Sequence, residues 1–434
     1  MKNILKETII NILTFEAKLA IKKYKPKIIG ITGSVGKTSA KDAVYQVLAR
    51  QYFVRKSAKS FNSEIGVPLT VLGLPNGWNN PFVWLGNIVR GAALVLLPMD
   101  YPTWLILEIG ADRPNDIKNI TRWIKPDIAI ITRFGDLPVH IEFFNSKKQL
   151  IEEKSYLVWA LKKEGVLIVN NDDPDARKLG SEFKGKCLTV GIENQSDITA
   201  SHAMMSYRKD DKGEECPVGL NFKANFLGNS IPVSLTGVLG AQHIYPALFG
   251  IATGISSGLS VLSVCDSFSK FTAAPGRMRL VPGIRNSIII DDSYNSSPVA
   301  LEEALKTLRD ISVKKRKIAV FGDMMELGAY SKEAHVNAGK MTSAICHTLI
   351  TVGLRARDIA SGALSGGMSE KNILQFDNVM QAAKYMDGII GEGDIVLVKG
   401  SQTARLEKIV EEIMAFPRDK EKILVRQDAA WKKR

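Results

Sequence analysis

The chain has 434 residues, more than one hydrophobic core usually supports, so we expect two or three domains. Hydrophobic residues make up 45% and charged residues 24%, with ordinary amounts of glycine and proline, which excludes fibrous and disordered proteins. The four cysteines lie apart without Cys-x-x-Cys spacing. This argues against a zinc site or a disulfide framework and fits a reducing cytoplasm.

The net charge of +13 raises the question of a nucleic-acid partner. We predict no such partner, because the basic residues are spread along the chain and no groove-reading module is recognisable. Anionic substrates or an anionic membrane surface suit the charge better. We therefore expect a cytoplasmic protein, with contact at the inner face of the membrane left open.

Residues 1–20 alternate polar and apolar side chains at helical spacing, which predicts no signal peptide, and we expect one helix over 1–26. The strongly apolar segment 82–97 is interrupted by Asn87 and Arg90 and is too short to span a bilayer. We interpret it as a buried helix. A helix lying on a membrane surface is the alternative, and would give a peripheral membrane contact.

Residues 32–38, Thr-Gly-Ser-Val-Gly-Lys-Thr, directly follow an apolar run and predict a phosphate-binding loop between a strand and a helix. Gly33 and Gly36 allow backbone N–H groups to face phosphate oxygens. Lys37 can reach the β- and γ-phosphates, and Thr38 can offer its hydroxyl to Mg²⁺. Ile31 stands where the usual spacing has glycine, so this is a variant loop. The predicted ATP-binding residues are Gly33, Ser34, Val35, Gly36, Lys37 and Thr38.

Buried parallel strands are predicted at 28–32, 104–108, 127–132 and 166–170, with helices between them. Ser146 and Gln149 form a candidate capping box for one of these helices. Short alternating runs at 219–226 and 230–235 predict a small antiparallel patch, followed by a helix over 243–255. This pattern predicts an α/β domain over 27–273 with a mainly parallel sheet.

Pro275 and Gly276 mark a boundary, after which the alternation of strands and helices restarts. Strands are predicted at 287–291, 317–321, 348–352 and 394–399, and a helix begins at Ser297-Pro298. We therefore expect a Rossmann-like α/β domain over 274–434. The fold class is α/β throughout.

Several polar side chains lie at predicted strand ends, where open parallel sheets place their ligands. Glu108 closes one strand and could hold Mg²⁺, while His140 and Glu142 follow the next. Lys154 can equally be a residue of a solvated helix face. In the second domain, the segment 291–298 pairs two carboxylates with an amide, and Arg277 could reach a nucleotide from the domain junction.

Eight segments in order give the chain a resemblance to a known family: 32–38, 62–70, 107–111, 139–142, 275–277, 291–298, 321–328 and 396–401. They resemble the Mur ligases, ATP-dependent enzymes that form amide bonds. The resemblance is to the branch that adds D-alanyl-D-alanine to a muramoyl-tripeptide in peptidoglycan synthesis. It implies that a carboxylate is phosphorylated by ATP and that the acyl phosphate is then attacked by an amine.

For the nucleotide and metal, the resemblance implies that Lys37 and Thr38 bind phosphate and Mg²⁺. Glu108 and His140 would be further metal contacts. Lys154 matches the family lysine that becomes carbamylated, which makes Lys37, His140 and Lys154 the predicted catalytic residues.

The resemblance also assigns the remaining contacts. Asn295 and Arg277 would touch the adenine side of ATP, and Asp292 the ribose. The acyl substrate would contact Asn62 and Ser63. The incoming amine would contact Asp323, Lys399 and Ser401.

Three departures from the family pattern leave the acyl substrate open. The small amino-terminal domain that grips uridine diphosphate is expected to be missing, Arg133 replaces an asparagine, and residues 242–246 replace an Asn-rich helix start. The acceptor could be linked to a nucleotide or to a lipid. Alternatives are a polyglutamate-type ligase, a partner-dependent amidating enzyme, or a non-catalytic nucleotide-binding module at the membrane. A nucleic-acid-dependent ATPase is a more distant alternative, and we expect a monomer.

Overall fold

The computed structural model describes residues 2–58, 61–135, 143–210, 212–271, 273–313, 315–428 and 431. His140 and Glu142 lie outside these ranges. The chain begins with the helix α1 (Lys2–Tyr24), which the spacing of apolar residues predicts.

The first sheet has nine strands in the order β2-β3-β1-β4-β5-β6-β7-β8-β9. Neighbouring strands run parallel from β2 to β7, and the pairs β7–β8 and β8–β9 are antiparallel. The strands are β1 (Lys27–Thr32), β2 (Val54–Lys56), β3 (Trp104–Glu108), β4 (Ile128–Ile131), β5 (Val166–Asn170), β6 (Lys186–Gly191), β7 (Ile198–Lys209), β8 (Glu215–Phe226) and β9 (Asn229–Thr236).

Helices cover both faces of this sheet, which explains why its central strands are apolar throughout. In β1, Ile29 and Ile31 face the core formed with α2 and α8, whereas Ile28 faces the core formed with α1, α3 and α6. The helices of this part are α2 (Lys37–Leu48), α3 (Gly66–Leu72), α4 (Pro81–Leu96), α5 (Asp116–Thr121), α6 (Lys147–Trp159), α7 (Pro174–Glu182), α8 (Ile244–Ser256) and α9 (Val261–Asp266).

The second sheet has six strands in the order β10-β11-β15-β12-β13-β14, and within it only the edge pair β10–β11 is antiparallel. Its strands are β10 (Arg279–Pro282), β11 (Ile288–Asp292), β12 (Lys317–Gly322), β13 (Thr348–Val352), β14 (Ile373–Phe376) and β15 (Ile395–Lys399). Its helices are α10 (Pro298–Asp310), α11 (Ser331–Ser343), α12 (Arg357–Ser365), α13 (Val379–Ile389), α14 (Glu407–Ile413) and α15 (Lys420–Ile423).

The predicted α/β class, the mainly parallel first sheet, the antiparallel patch and the second α/β unit are confirmed. The strands β2, β6, β7, β10 and β14 were not predicted. Ser146 caps α6 by accepting from the Gln149 amide at 3.2 Å, but the Gln149 side chain accepts from Asn145 instead of returning to the cap. The boundaries at residues 27 and 274 stay predictions.

The prediction of a buried helix over 82–97 is wrong for one face of α4. Asn87, Gly91 and Leu94 are buried, but Phe82 and Leu96 are about four-fifths exposed, at 81% and 79%. Within the described part of the chain, none of the helices combines the length and apolar character that crossing a bilayer requires.

Candidate active site

The predicted phosphate loop connects β1 to α2, and its glycines adopt conformations that other residues rarely adopt. Gly33 has φ +144° and Gly36 has φ +88°. A Cβ atom at Gly33 would lie 2.0 Å from the Thr132 hydroxyl oxygen, so no side chain fits there. The Ser34 amide donates to the Arg133 carbonyl at 2.7 Å, which fixes the loop to the chain leaving β4.

Two lysine side chains meet on the Gly33 carbonyl oxygen. Lys37 Nζ donates to it at 2.9 Å and Lys154 Nζ at 3.1 Å. Burial lowers the pKa of both amines. The pKa of Lys154 falls to about 7, because the nearby charge of Lys37 adds to the effect of burial. The interpretation of Lys154 as a residue of a solvated helix face is wrong, because α6 turns this side chain inward.

Glu108, at the end of β3, faces the first turn of α2. Thr38 Oγ1 donates to its two carboxylate oxygens at 3.2 and 3.1 Å. Lys41 Nζ lies 3.3 Å from Glu108 Oε2, and both side chains are buried. Carboxylate and hydroxyl oxygens are the donors that Mg²⁺ prefers, so Thr38 and Glu108 fit such an ion.

Sequence reasoning missed Lys41, although a signal was available. Residues three apart on a helix share a face, so Lys41 lies beside Thr38 on α2. Its ammonium group balances the charge of Glu108 at the base of the loop.

One cleft of about 1040 Å³ lies between the two sheets and is lined from both sides. Of the residues that the sequence singles out, it brings together Ser34, Val35, Gly36, Lys37, Thr38, Asn62, Ser63, Glu108, Arg277, Asn295 and Ser401. A nucleotide triphosphate and a second substrate both fit a space of this size.

Asp292 and Lys399 lie behind the lining of this cleft. Lys399 Nζ is 2.6 Å from Asp292 Oδ2 and donates to the Asn295 carbonyl at 2.9 Å. Burial lowers the pKa of Lys399, and the Asp292 carboxylate opposes that shift. This buried pair holds the turn that carries Asn295, while the predicted ribose and amine contacts stay predictions.

Asp323 also lies outside the lining residues and connects two loops. Its Oδ1 accepts from the Ala356 amide at 2.8 Å, and its carbonyl accepts from the Ser401 amide at 2.9 Å. Its predicted role near the amine stays a prediction. Met325 and Glu326, which follow it, do line the cleft.

Residues 424–428 and Trp431, near the end of the chain, form a wall of the cleft that no sequence pattern indicated. Arg426 donates to the Ser293 carbonyl at 3.1 Å and pairs with the buried Glu407 at 2.9 Å. The guanidinium of Arg277 lies 4.0 Å from the centre of the Tyr294 ring, and that of Arg426 lies 5.7 Å from it. Because these partners are far apart in sequence, only the folded chain reveals the contact.

Comparison with known families agrees with this geometry. The model of the Mur ligase middle domain matches residues 31–84 and 89–253, and the model described as "Mur ligase, glutamate ligase domain" matches residues 276–402. The chain belongs to the Mur ligase family. It is therefore an ATP-dependent amide ligase.

Two curated relatives of this Mur ligase carry the name UDP-N-acetylmuramoyl-tripeptide–D-alanyl-D-alanine ligase. The Bacillus subtilis protein is 28% identical over 404 residues, 92% of this chain and 79% of that one. The Rickettsia prowazekii protein is 26% identical over 405 residues, 92% of this chain and 81% of that one.

A crystal structure of MurF ligase from Thermotoga maritima in complex with ADP shares the fold of this Mur ligase. The two are 24% identical, with a TM-score of 0.75 and coverage of 95% of this chain and 84% of that one. At this identity the likeness shows the fold alone.

Proposed function

We propose that this Mur ligase joins D-alanyl-D-alanine to the free carboxylate of a muramoyl-tripeptide in peptidoglycan precursor synthesis. One observation carries the proposal. The phosphate loop and Asn62 line one side of the cleft, and Asn295 and Ser401 line the other. The names of the two relatives support this choice of substrates.

The chemistry follows from the poor reactivity of a carboxylate toward amines. A carboxylate oxygen attacks the γ-phosphorus of ATP, the bond to the β-phosphate oxygen breaks, and ADP leaves an acyl phosphate behind. The dipeptide amine then attacks the acyl carbon, and the carbon–oxygen bond to phosphate breaks. The nitrogen loses a proton, and inorganic phosphate departs with one oxygen of the original carboxylate.

Residues of the loop stabilise the charge of the first step. Lys37 lies where its ammonium group can follow the transferring phosphoryl group, and the loop amides and the start of α2 add positive potential. Thr38 and Glu108, with His140 as a predicted third contact, would hold Mg²⁺, which when bound neutralises phosphate charge. Closure of the two halves around the cleft excludes water that would hydrolyse the acyl phosphate.

Lys154 is proposed to be carbamylated. Because its pKa is lowered to about 7, much of the amine is neutral at physiological pH and can attack carbon dioxide. The nitrogen–carbon bond forms while one C=O π bond of carbon dioxide opens, the nitrogen loses a proton to solvent, and the neutral amine beside Lys37 becomes an anionic carbamate. Incubation with ¹³C-bicarbonate should give a carbamate signal in the ¹³C NMR spectrum that Lys154→Ala lacks. Equal signals in both proteins would contradict carbamylation of Lys154.

The nucleotide is proposed to lie against the second half of the cleft, with Arg277 and Asn295 at the adenine and Asp292 towards the ribose. The stacked pair of Arg277 and Tyr294 offers a flat surface beside a purine. The enzyme is proposed to act as a monomer in the cytoplasm, where ATP is available.

An ADP-release assay tests the proposal with a panel of acceptors, nucleotide-linked and lipid-linked muropeptides and poly-glutamate acceptors, each with and without D-alanyl-D-alanine. We expect sustained ADP release, beyond one ADP per enzyme, only when a muramoyl-tripeptide and the dipeptide are both present. Sustained ADP release without an amine, or with poly-glutamate acceptors alone, would overturn the proposal. The proposal would also be overturned if nucleic acid, and not these substrates, stimulated ADP release.

A further inference from the structure

Helix α4 presents an apolar row to solvent. Phe82, Leu85, Val89 and Leu96, here called the α4 stripe, are 61–81% exposed. With 3.6 residues per turn, these four positions lie along one side of the helix. Four large apolar side chains in line form a continuous patch, unlike the scattered apolar residues of an ordinary protein surface.

The opposite face fixes α4 firmly to the protein. Asn80 caps its first turn by accepting from the Phe82 amide at 3.0 Å. Lys23 of α1 donates at 2.9 Å to the carbonyl of Val95, which lies in the last turn of α4. A Cβ atom at Gly91 would lie 2.0 Å from Glu16 Oε2, which shows how closely α1 and α4 approach. The packing of α4 against α1 therefore fixes the orientation of α4, with the α4 stripe facing solvent.

The exposed charges that the structure describes on this helix pair are almost all positive. The exposed charged side chains described on α1 and α4 are Lys6, Glu7, Lys18, Lys22, Lys23 and Arg90. Five cations thus accompany a single anion, and Arg90 directly follows a residue of the stripe. Lys23 also lies at the last turn of α4, so positive charge stands at both places beside the apolar face. An apolar face accompanied by lysine and arginine is the pattern of a helix that lies in an anionic lipid surface.

The α4 stripe begins beside the active-site cleft. Asn76 and Trp78, in the loop that leads into α4, line the cleft. Trp84 Nε1 donates to the Trp78 carbonyl at 2.9 Å, which ties this loop to the first turn of the helix. A surface that receives Phe82 therefore lies next to the edge of the cleft at Trp78.

We propose that the α4 stripe docks on an anionic membrane with the helix axis in the membrane plane. A helix of 16 residues is about 24 Å long, so α4 lies on such a surface and does not cross it. Docking presents the Trp78 edge of the cleft to the membrane, and the acyl acceptor taken from it is a muropeptide on a lipid anchor. That identity of the acceptor rests on the proposed ligase function, whereas docking itself does not.

Co-sedimentation of the full chain with vesicles tests the docking. We expect binding to phosphatidylglycerol–phosphatidylcholine vesicles, weakened by salt, and at least tenfold less binding to phosphatidylcholine alone. The triple variant Phe82→Ser, Leu85→Ser and Leu96→Ser should lose at least tenfold in bound fraction. The matched control, Leu227→Ser, Leu262→Ser and Leu354→Ser, removes equally exposed leucines elsewhere and should bind like the wild type.

Three outcomes would overturn the docking proposal: no binding by the wild type, equal binding by the triple variant, or loss of binding in the control. A concentration-dependent dimer in light scattering that the triple variant abolishes would also overturn it, because the stripe would then join two copies. ADP release with a soluble muramoyl-tripeptide separates the two proposals. Unchanged release in the triple variant supports a role of the stripe in docking alone. No release in the wild type, with either the soluble or a lipid-linked muramoyl-tripeptide, contradicts the ligase function and leaves the vesicle result standing.

Discussion

Lys37 and Lys154 donate to the same acceptor, the carbonyl oxygen of Gly33, at 2.9 and 3.1 Å. Two buried amines on one carbonyl create a local excess of positive charge, which a polyphosphate or a carbamate would balance.

Lys37→Ala should abolish ADP-forming turnover, with a loss of about 10³-fold or more, because the transferring phosphoryl group loses its cation. The rate with saturating ATP is the measurement, and a thermal melt checks that the variant is folded. Lys148→Ala, an exposed lysine on α6, is the control and should keep the wild-type rate. A Lys37→Ala rate within a few-fold of wild type would show that the phosphate loop is wrongly assigned.

Lys154 should give the folded state a characteristic pH dependence in buffer free of carbon dioxide. Its pKa falls from 10.5 to about 7 on folding, so between these values the unfolded chain keeps a proton that the folded chain has lost. The free energy of unfolding of the wild type should therefore rise with pH relative to Lys154→Met, by about 1.4 kcal/mol per pH unit. Below pH 7, where Lys154 is protonated in both states, the difference in free energy of unfolding between Lys154→Met and the wild type should stay constant.

Denaturant unfolding at pH 7 and pH 9 measures this difference for both proteins. Lys148→Met provides the control and should follow the wild type at both values. If the difference between wild type and Lys154→Met does not change with pH, the buried amine is not the titrating group.

Glu108 and Thr38 should govern the dependence on Mg²⁺. Glu108→Gln removes the negative charge that faces Thr38 and should raise the Mg²⁺ concentration for half-maximal activity by about 10–100-fold. Thr38→Val should act in the same direction, and Thr38→Ser, which keeps the hydroxyl, is the control. An unchanged Mg²⁺ dependence in Glu108→Gln would remove this residue from the metal site.

Arg426 should position the nucleotide side of the cleft through Tyr294. Arg426→Met leaves the buried Glu407 with one partner fewer and frees the Ser293 carbonyl, so stability should fall by about 3–5 kcal/mol. ADP affinity, measured by calorimetry below the lowered melting temperature, should fall several-fold. The control, Arg418→Met, changes an arginine further from the cleft and should leave the ADP affinity unaltered. Full ADP affinity in Arg426→Met would make Arg426 structural only.

Local patterns predicted the phosphate loop and most strands, because a glycine turn between an apolar strand and a helix depends only on residues that are adjacent in sequence. Glu108 was also predictable, since it ends a buried strand. Lys154 was ambiguous, because only packing decides which way a lysine on α6 points. The Arg426 contact could not be predicted, since its partners are distant in sequence. For α4 the sequence left a buried and a surface helix open, because only the packing against α1 decides which face is exposed.

The transfer of oxygen from the acceptor to phosphate tests the central claim most directly. A muramoyl-tripeptide labelled with ¹⁸O in its free carboxylate is incubated with ATP, Mg²⁺, D-alanyl-D-alanine and the enzyme, and the released phosphate is analysed by mass spectrometry. The acyl-phosphate route predicts one carboxylate oxygen in each phosphate and none with Lys37→Ala. Phosphate free of label, with product still formed, would contradict it.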